Sequence, residues 1–204
     1  MLAKFKSVMN DEEKRRFLGN FFSLATLQGL NYILPLLTLP YLVRILGADK
    51  FGALAFATAI IGYFTVLTDY GFNFTATREV SLNRSNPEKL NEIFNSVMTI
   101  KLILFLLSFL ILTFLIISFN KFSVDPWLYY LTLGTVLGQV LFPVWFFQGV
   151  EQMKYITIIN IVSKVFFTIS IFLMVKHSSD YLLVPLLTSL GGIFAGIYSL
   201  YLIR

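Results

Sequence analysis

The chain has 204 residues, 57% hydrophobic and 13% charged, with 22 Phe, no Cys and a net charge of +5, and its mean hydropathy is +0.77. A soluble domain of this size needs far more polar surface to cover its core, so composition excludes one. Without Cys there are no disulfides, thiolate nucleophiles or thiolate metal sites, and the aromatics sit in apolar runs, not interleaved with cations as a nucleic-acid surface requires.

Met1 to Arg16 is polar and basic. Asn10 as an N-cap and a Glu12–Arg16 pair at i,i+4 predict a short interfacial helix in this cytoplasmic segment. The apolar stretch that follows is too long for a signal peptide and lacks a small-residue cleavage site, so it is read as the first span. A crossing takes about 20 residues. Apolar runs of that order predict six spans near 17–43, 51–72, 96–119, 127–148, 156–176 and 182–203, forming one transmembrane lobe over 17–204. The expected fold class is therefore an all-α polytopic membrane protein. Leu102 to Phe119 carries no charge. Before it, Ser85-Asn86-Pro87-Glu88 reads as a capping box, and Leu90, Ile93, Phe94 and Val97 recur at helical spacing. That helix is expected to run along the interface before it crosses.

Basic residues set the orientation. With the N-terminus cytoplasmic, the inner segments hold Lys4, Lys6, Lys14, Arg15, Arg16, Arg78, Arg84, Lys89, Lys101, Lys154 and Arg204. The outer segments hold only Arg44, Lys50, Lys121 and Lys176. The positive-inside rule then places both termini in the cytoplasm.

Within the membrane, small residues four apart (Ala53/Ala57, Gly134/Gly138, Thr188/Gly192/Gly196) predict close helix packing. Pro35, Pro40, Pro143 and Pro185 predict kinks. Asn160, Lys164 and Thr168 fall at i, i+4 and i+8 on the fifth span, making one polar stripe. Lys164 lies about 12 Å into that span at helical rise. A lysine so deep either snorkels to a structural partner or faces a polar path, where its charge suits an anion. Gln28, Asn31 and Pro35 form a second stripe on the first span, read equally as interhelical hydrogen bonding or as cavity lining. Arg44 ends that span, where anchoring is the plain reading. Asp69, near Arg78 and Glu79, is either in a local ion pair or part of a cytoplasmic gate. Gln139 and Gln148 are further cavity candidates, and His177 is a lone interfacial histidine.

No phosphate-binding G-x-x-x-x-G-K-[ST] loop, H-E-x-x-H or metal-spaced cluster occurs. Loops of a few residues offer no cleft for paired catalytic carboxylates, so no catalytic residue, metal or cofactor is assigned. A membrane-embedded glycosyltransferase or polymerase is the enzymatic competitor. Transport driven by an ion gradient, H+ or Na+, or by a substrate gradient fits the inventory better.

Leu37-Thr38-Leu39-Pro40-Tyr41-Leu42-Val43-Arg44-Ile45-Leu46-Gly47 with Phe51-Gly52 resembles the opening of bacterial polysaccharide flippases. Asp69-Tyr70-Gly71-Phe72-Asn73 and Ala76-Thr77-Arg78-Glu79-Val80-Ser81 resemble the exit of their second span. Pro143-Val144-Trp145-Phe146-Phe147-Gln148-Gly149, Met153-Lys154-Tyr155 and Asn160 to Lys164 resemble their fourth and fifth helices. These are Wzx-type O-antigen and repeat-unit translocases of the MOP exporter superfamily. The resemblance implies two lobes of six helices around a cationic cavity, of which this chain supplies the N-terminal lobe. It implies translocation of an undecaprenyl-diphosphate-linked oligosaccharide across the bacterial inner membrane for O-antigen, capsule or exopolysaccharide synthesis. Lys164 would then meet the diphosphate, with Asn160, Thr168, Gln28 and Asn31 as further substrate-binding candidates, Arg44 and Arg78 would receive or release it at opposite faces, and Asp69 and Glu79 would gate or couple. Expected partners are membrane lipids, a polysaccharide polymerase, a chain-length regulator, and a second lobe. The chain is expected to be a fragment, completed by its missing half, a separate chain or a second copy. The alternatives are a drug or small-solute exporter of the same superfamily and a non-transporting assembly subunit.

Overall fold

The computed structural model describes residues 11–203, and of the side chains up to residue 27 it describes those of 19, 21, 22, 25 and 26. The Asn10 cap and the Glu12–Arg16 pair lie outside the described residues. Those described form helices and turns, with no strand among them.

The first helix, α1, runs Asp11–Asp69, and its helical path is broken at Gly47, with φ 73° and ψ 171°. That conformation is open essentially only to glycine. The apolar stretch Gln28–Leu82 covers 55 residues, whereas a straight helix of that length would be about 80 Å long against a hydrocarbon core of about 30 Å. The break at Gly47 thus divides two crossings, and Pro35 and Pro40 do not interrupt the first. After α1, Tyr70 (φ 43°) and Gly71 (φ 81°) turn the chain into α2, Phe72–Leu82.

Helix α3, Pro87–Ser118, starts one residue later than the predicted capping box. Asn86, not Ser85, is the cap, its side chain accepting from Lys89 N–H, with Pro87 beginning the helix. The stretch expected along the interface and the span behind it are one unbroken helix. Short α4 (Asn120–Ser123) leads to α5, Pro126–Leu141. The fourth predicted span is not continuous. It breaks at Phe142 and Pro143 and resumes as α6, Val144–Gly149, because proline has no N–H for a helix interior. Helix α7 is Met153–Met174, and a 3-10 turn, Ser178–Leu182, precedes α8, Leu183–Ile203. Pro185 sits in the first turn of α8, where a missing N–H costs nothing, and makes no break.

Among the described residues, five stretches are long and apolar enough to cross a membrane, the first of them carrying the Gly47 break. This is an all-α polytopic membrane protein. Its outer faces confirm the solvent they need: Ile103, Leu106, Leu110, Phe114 and Ile117 on α3 are exposed, while Ser108, Leu112 and Ile116 on the same helix are buried. Exposed apolar area on that scale is satisfied by lipid.

The core joins Leu42, Leu46, Ala57 and Ile61 of α1 to Leu112 of α3, Leu133 and Val136 of α5, and Leu187 of α8. Two of the three predicted small-residue stripes, on α5 and α8, meet each other. A Cβ on Gly138 of α5 would lie 2.6 Å from the Gly192 carbonyl carbon of α8, and one on Gly196 would lie 2.6 Å from Leu141 Cβ. Backbones this close are held by dispersion, which drives helix association in lipid. Ser189 adds an interhelical hydrogen bond, its hydroxyl donating to Leu131 O at 2.5 Å. Thr188, expected in that packing stripe, is exposed instead and lines the cavity described next.

Candidate functional site

A cavity of about 810 Å³ opens among α1, α3, α5, α7 and α8. Helical periodicity aims one face of α7 into it, so Asn160, Lys164 and Thr168 all line the wall, as their i, i+4, i+8 spacing requires. Asn31, Pro35 and Thr38 of α1 line the same space. The α7 stripe and the Asn31 and Pro35 part of the α1 stripe therefore face one cavity, and they touch. Lys164 Nζ donates to Asn31 Oδ1 at 2.5 Å. An ammonium has three donors and no acceptor, so Asn31 takes one and leaves capacity for a ligand. Asn160 Nδ2 donates to Ile156 O at 3.0 Å, and the Thr38 hydroxyl to Leu34 O at 3.1 Å. These polar groups can thus stand in an apolar bundle without a further partner.

A second charged group lies at the end of α1. Asp69 is the last residue of that helix, and its Oδ1 is 3.2 Å from Lys101 Nζ of α3. Asn73 Nδ2 donates to the same oxygen at 2.8 Å. The Lys101 side chain is 6% exposed and that of Asp69 32%. All three residues line the cavity. Lys101, counted above as a basic residue of an inner segment, is instead buried inside the bundle. Asp69 pairs with this residue, 32 positions away, and not with its neighbours Arg78 or Glu79. Sequence reasoning missed Lys101 because a lysine directly before a charge-free run reads as a headgroup anchor. The available signal was that Lys101 falls four residues after Val97 on a face otherwise buried, with Met98, Ser108 and Leu112.

Among the described residues, the charged ones lining the cavity are Asp69, Lys101 and Lys164, a balance of one positive charge. Other predicted residues lie elsewhere. Gln28 is exposed and donates to its helix neighbour Tyr32 Oη at 3.0 Å. Arg44 is exposed near the Gly47 break, and Arg78 and Glu79 are exposed on α2. None of these four lines the cavity. Gln139 does and Gln148 does not. His177 is exposed outside α7, beside Asp180.

Residues 17–204 match the family described as "Polysaccharide biosynthesis protein". Over 187 residues the chain is 35% identical to a protein of Escherichia coli (strain K12) named "Putative O-antigen transporter", a match covering 90% of this chain and 44% of that protein. It is 28% identical over 187 residues to a protein of the same name from Shigella dysenteriae, covering 91% of this chain and 46% of that one. The chain spans a little under half the length of these curated relatives. No solved structure matches it significantly.

Proposed function

We propose, from the premise that this chain belongs to the polysaccharide biosynthesis protein family, that it forms one wall of a path carrying a lipid-linked oligosaccharide across the bacterial inner membrane. The observation that carries this reading is the meeting of Lys164 and Asn31 across a membrane cavity with a positive balance. A cation at that depth is costly unless it faces water or an anion, and a diphosphate linkage away from water needs such a partner. The head group would pass Lys164 while the glycan follows the Asn160 and Thr168 face. Because the relatives are about twice as long, the opposite wall would come from a second lobe or a second copy. The basic residues favour cytoplasmic termini. An H+ or Na+ gradient would drive the cycle, with Asp69 the nearest carboxylate to couple it.

The test is Lys164→Ala in the full-length gene product, expressed in cells lacking their own copy. Glycan export should be lost at unchanged protein level. Normal export at normal level would sink the reading.

A further inference from the structure

We propose that Asp69 sets the charge selectivity of the cavity: it holds Lys101 in a pair that a diphosphate displaces and a singly charged phospholipid does not. The inference rests on the translocation reading for the identity of the anion. The geometry supplies the rest.

A cavity in a membrane is surrounded by phospholipid, and anionic phospholipids carry a phosphodiester with one negative charge. Two bare lysines on its wall would collect them. Here only Lys164 faces the space with a neutral partner, Asn31. Lys101 is masked by a carboxylate at 3.2 Å. Replacing that carboxylate by one phosphodiester exchanges one unit charge for another and gains no pairing. It also strands Asp69 at the C-terminus of α1, where the helix dipole already disfavours a negative charge. A diphosphate ester carries more than one charge and more acceptor oxygens, so it can pair with Lys101 and keep charge and oxygens for further donors on the wall, which offsets the stranded carboxylate.

Asp69 is built to release its partner. Its side chain is about one-third exposed while that of Lys101 is almost wholly buried, so the carboxylate is the member that can rehydrate. Its Oδ1 keeps the hydrogen bond from Asn73 when Lys101 turns away. The left-handed Tyr70–Gly71 turn ends α1 directly after Asp69, so the carboxylate sits at a helix terminus and not within a rigid helix interior.

The experiment uses the full-length gene product in phosphatidylcholine nanodiscs, titrated calorimetrically with farnesyl diphosphate and, separately, with dihexanoyl phosphatidylglycerol. The wild type should bind the diphosphate at least roughly tenfold more tightly, as expected when charge-assisted hydrogen bonds are added. Asp69→Asn should keep the diphosphate and gain phosphatidylglycerol, bringing the ratio of the two affinities towards unity. Lys101→Met, which also leaves Asp69 unpaired, should weaken the diphosphate. The double variant Asp69→Asn/Lys101→Met keeps the charge balance of the wild type, leaves no unpaired charge at the pair and guards against misfolding. It should bind the diphosphate more weakly than the wild type and phosphatidylglycerol as the wild type does. An unchanged ratio in Asp69→Asn, or wild-type diphosphate affinity in the double variant, overturns the proposal. Lys164→Ala separates the two readings. If it weakens the diphosphate while the Asp69 variants keep the wild-type ratio, only the selectivity proposal fails. If the wild type binds neither probe, the translocation reading fails with it.

Discussion

Lys164 and Asn31 are 133 positions apart in the chain and meet at 2.5 Å, joining α7 to α1 across the cavity. The contact makes Asn31 a tuning residue for the cation. Asn31→Asp would set a carboxylate against Lys164 and cancel the charge offered to an anionic substrate. Asn31→Leu would remove the acceptor but leave the charge. In glycan-export assays at matched protein level, Asn31→Asp is expected to lose activity roughly tenfold or more, and more than Asn31→Leu, since a charged partner binds about twice as strongly as a neutral one. Equal activity of the two variants would show that the charge on Lys164 is not what the substrate reads.

The Asp69–Lys101 pair also braces α1 against α3. Removing one partner of a buried pair leaves an uncompensated charge, at a cost of about 3–5 kcal/mol. Because Asp69 is about one-third exposed, Lys101→Met is expected at or below the lower end, about 2–3 kcal/mol. Combining Lys101→Met with Asp69→Leu should recover most of that loss, read as apparent Tm in nanodiscs. A double variant no more stable than the single one would mean that the ion pair is not what joins the helices.

Asn160, Lys164 and Thr168 show why part of the site was legible. Helical spacing alone puts them on one face, and depth alone makes the lysine expensive. That the face opposes Asn31 was not legible, since no local rule says which spans are neighbours. Gly134, Gly138, Gly192 and Gly196 announced close packing, and they proved to line one α5–α8 contact, Gly138 against Gly192, Gly134 against Ser189 and Gly196 against Leu141. Gln28 failed for the opposite reason. It shares a stripe with Asn31, yet Tyr32 satisfies it locally, one turn along on the same helix. Lys101 was hidden by a rule that is right on average, because cations at span ends usually reach the headgroups. Only the tertiary position of Asp69 overrides it.

The α5–α8 contact gives an asymmetric prediction. A Cβ at Gly138 would come within 2.6 Å of Gly192 backbone, whereas one at Gly192 would find Gly138 Cα at 3.4 Å, near ordinary contact. Gly138→Ala must push the two backbones apart and should cost about 1–3 kcal/mol, while Gly192→Ala should cost well under about 1 kcal/mol. Paired thermal unfolding in the same lipid tests the difference. Equal losses would mean that the helices separate readily there and that the glycine contact does not set their spacing.

Tyr41 separates stability from the proposed transport. Its hydroxyl donates to Val175 O at 2.7 Å, and its ring lies 4.6 Å from that of Phe172. Val175 directly follows the last residue of α7 and is fully buried, so its carbonyl has neither a helical partner nor solvent. Tyr41→Phe keeps the ring and strands that carbonyl, at a cost of about 1–2 kcal/mol. Tyr41→Ala also loses the packing and should cost about 3 kcal/mol or more. Tyr41 does not line the cavity, so the Phe variant should export glycan at the wild-type rate once protein levels are matched. A Tyr41→Phe protein that folds with wild-type Tm yet exports poorly would place this hydroxyl in the transport cycle, and the boundary of the functional surface would then extend from the cavity to the end of α7.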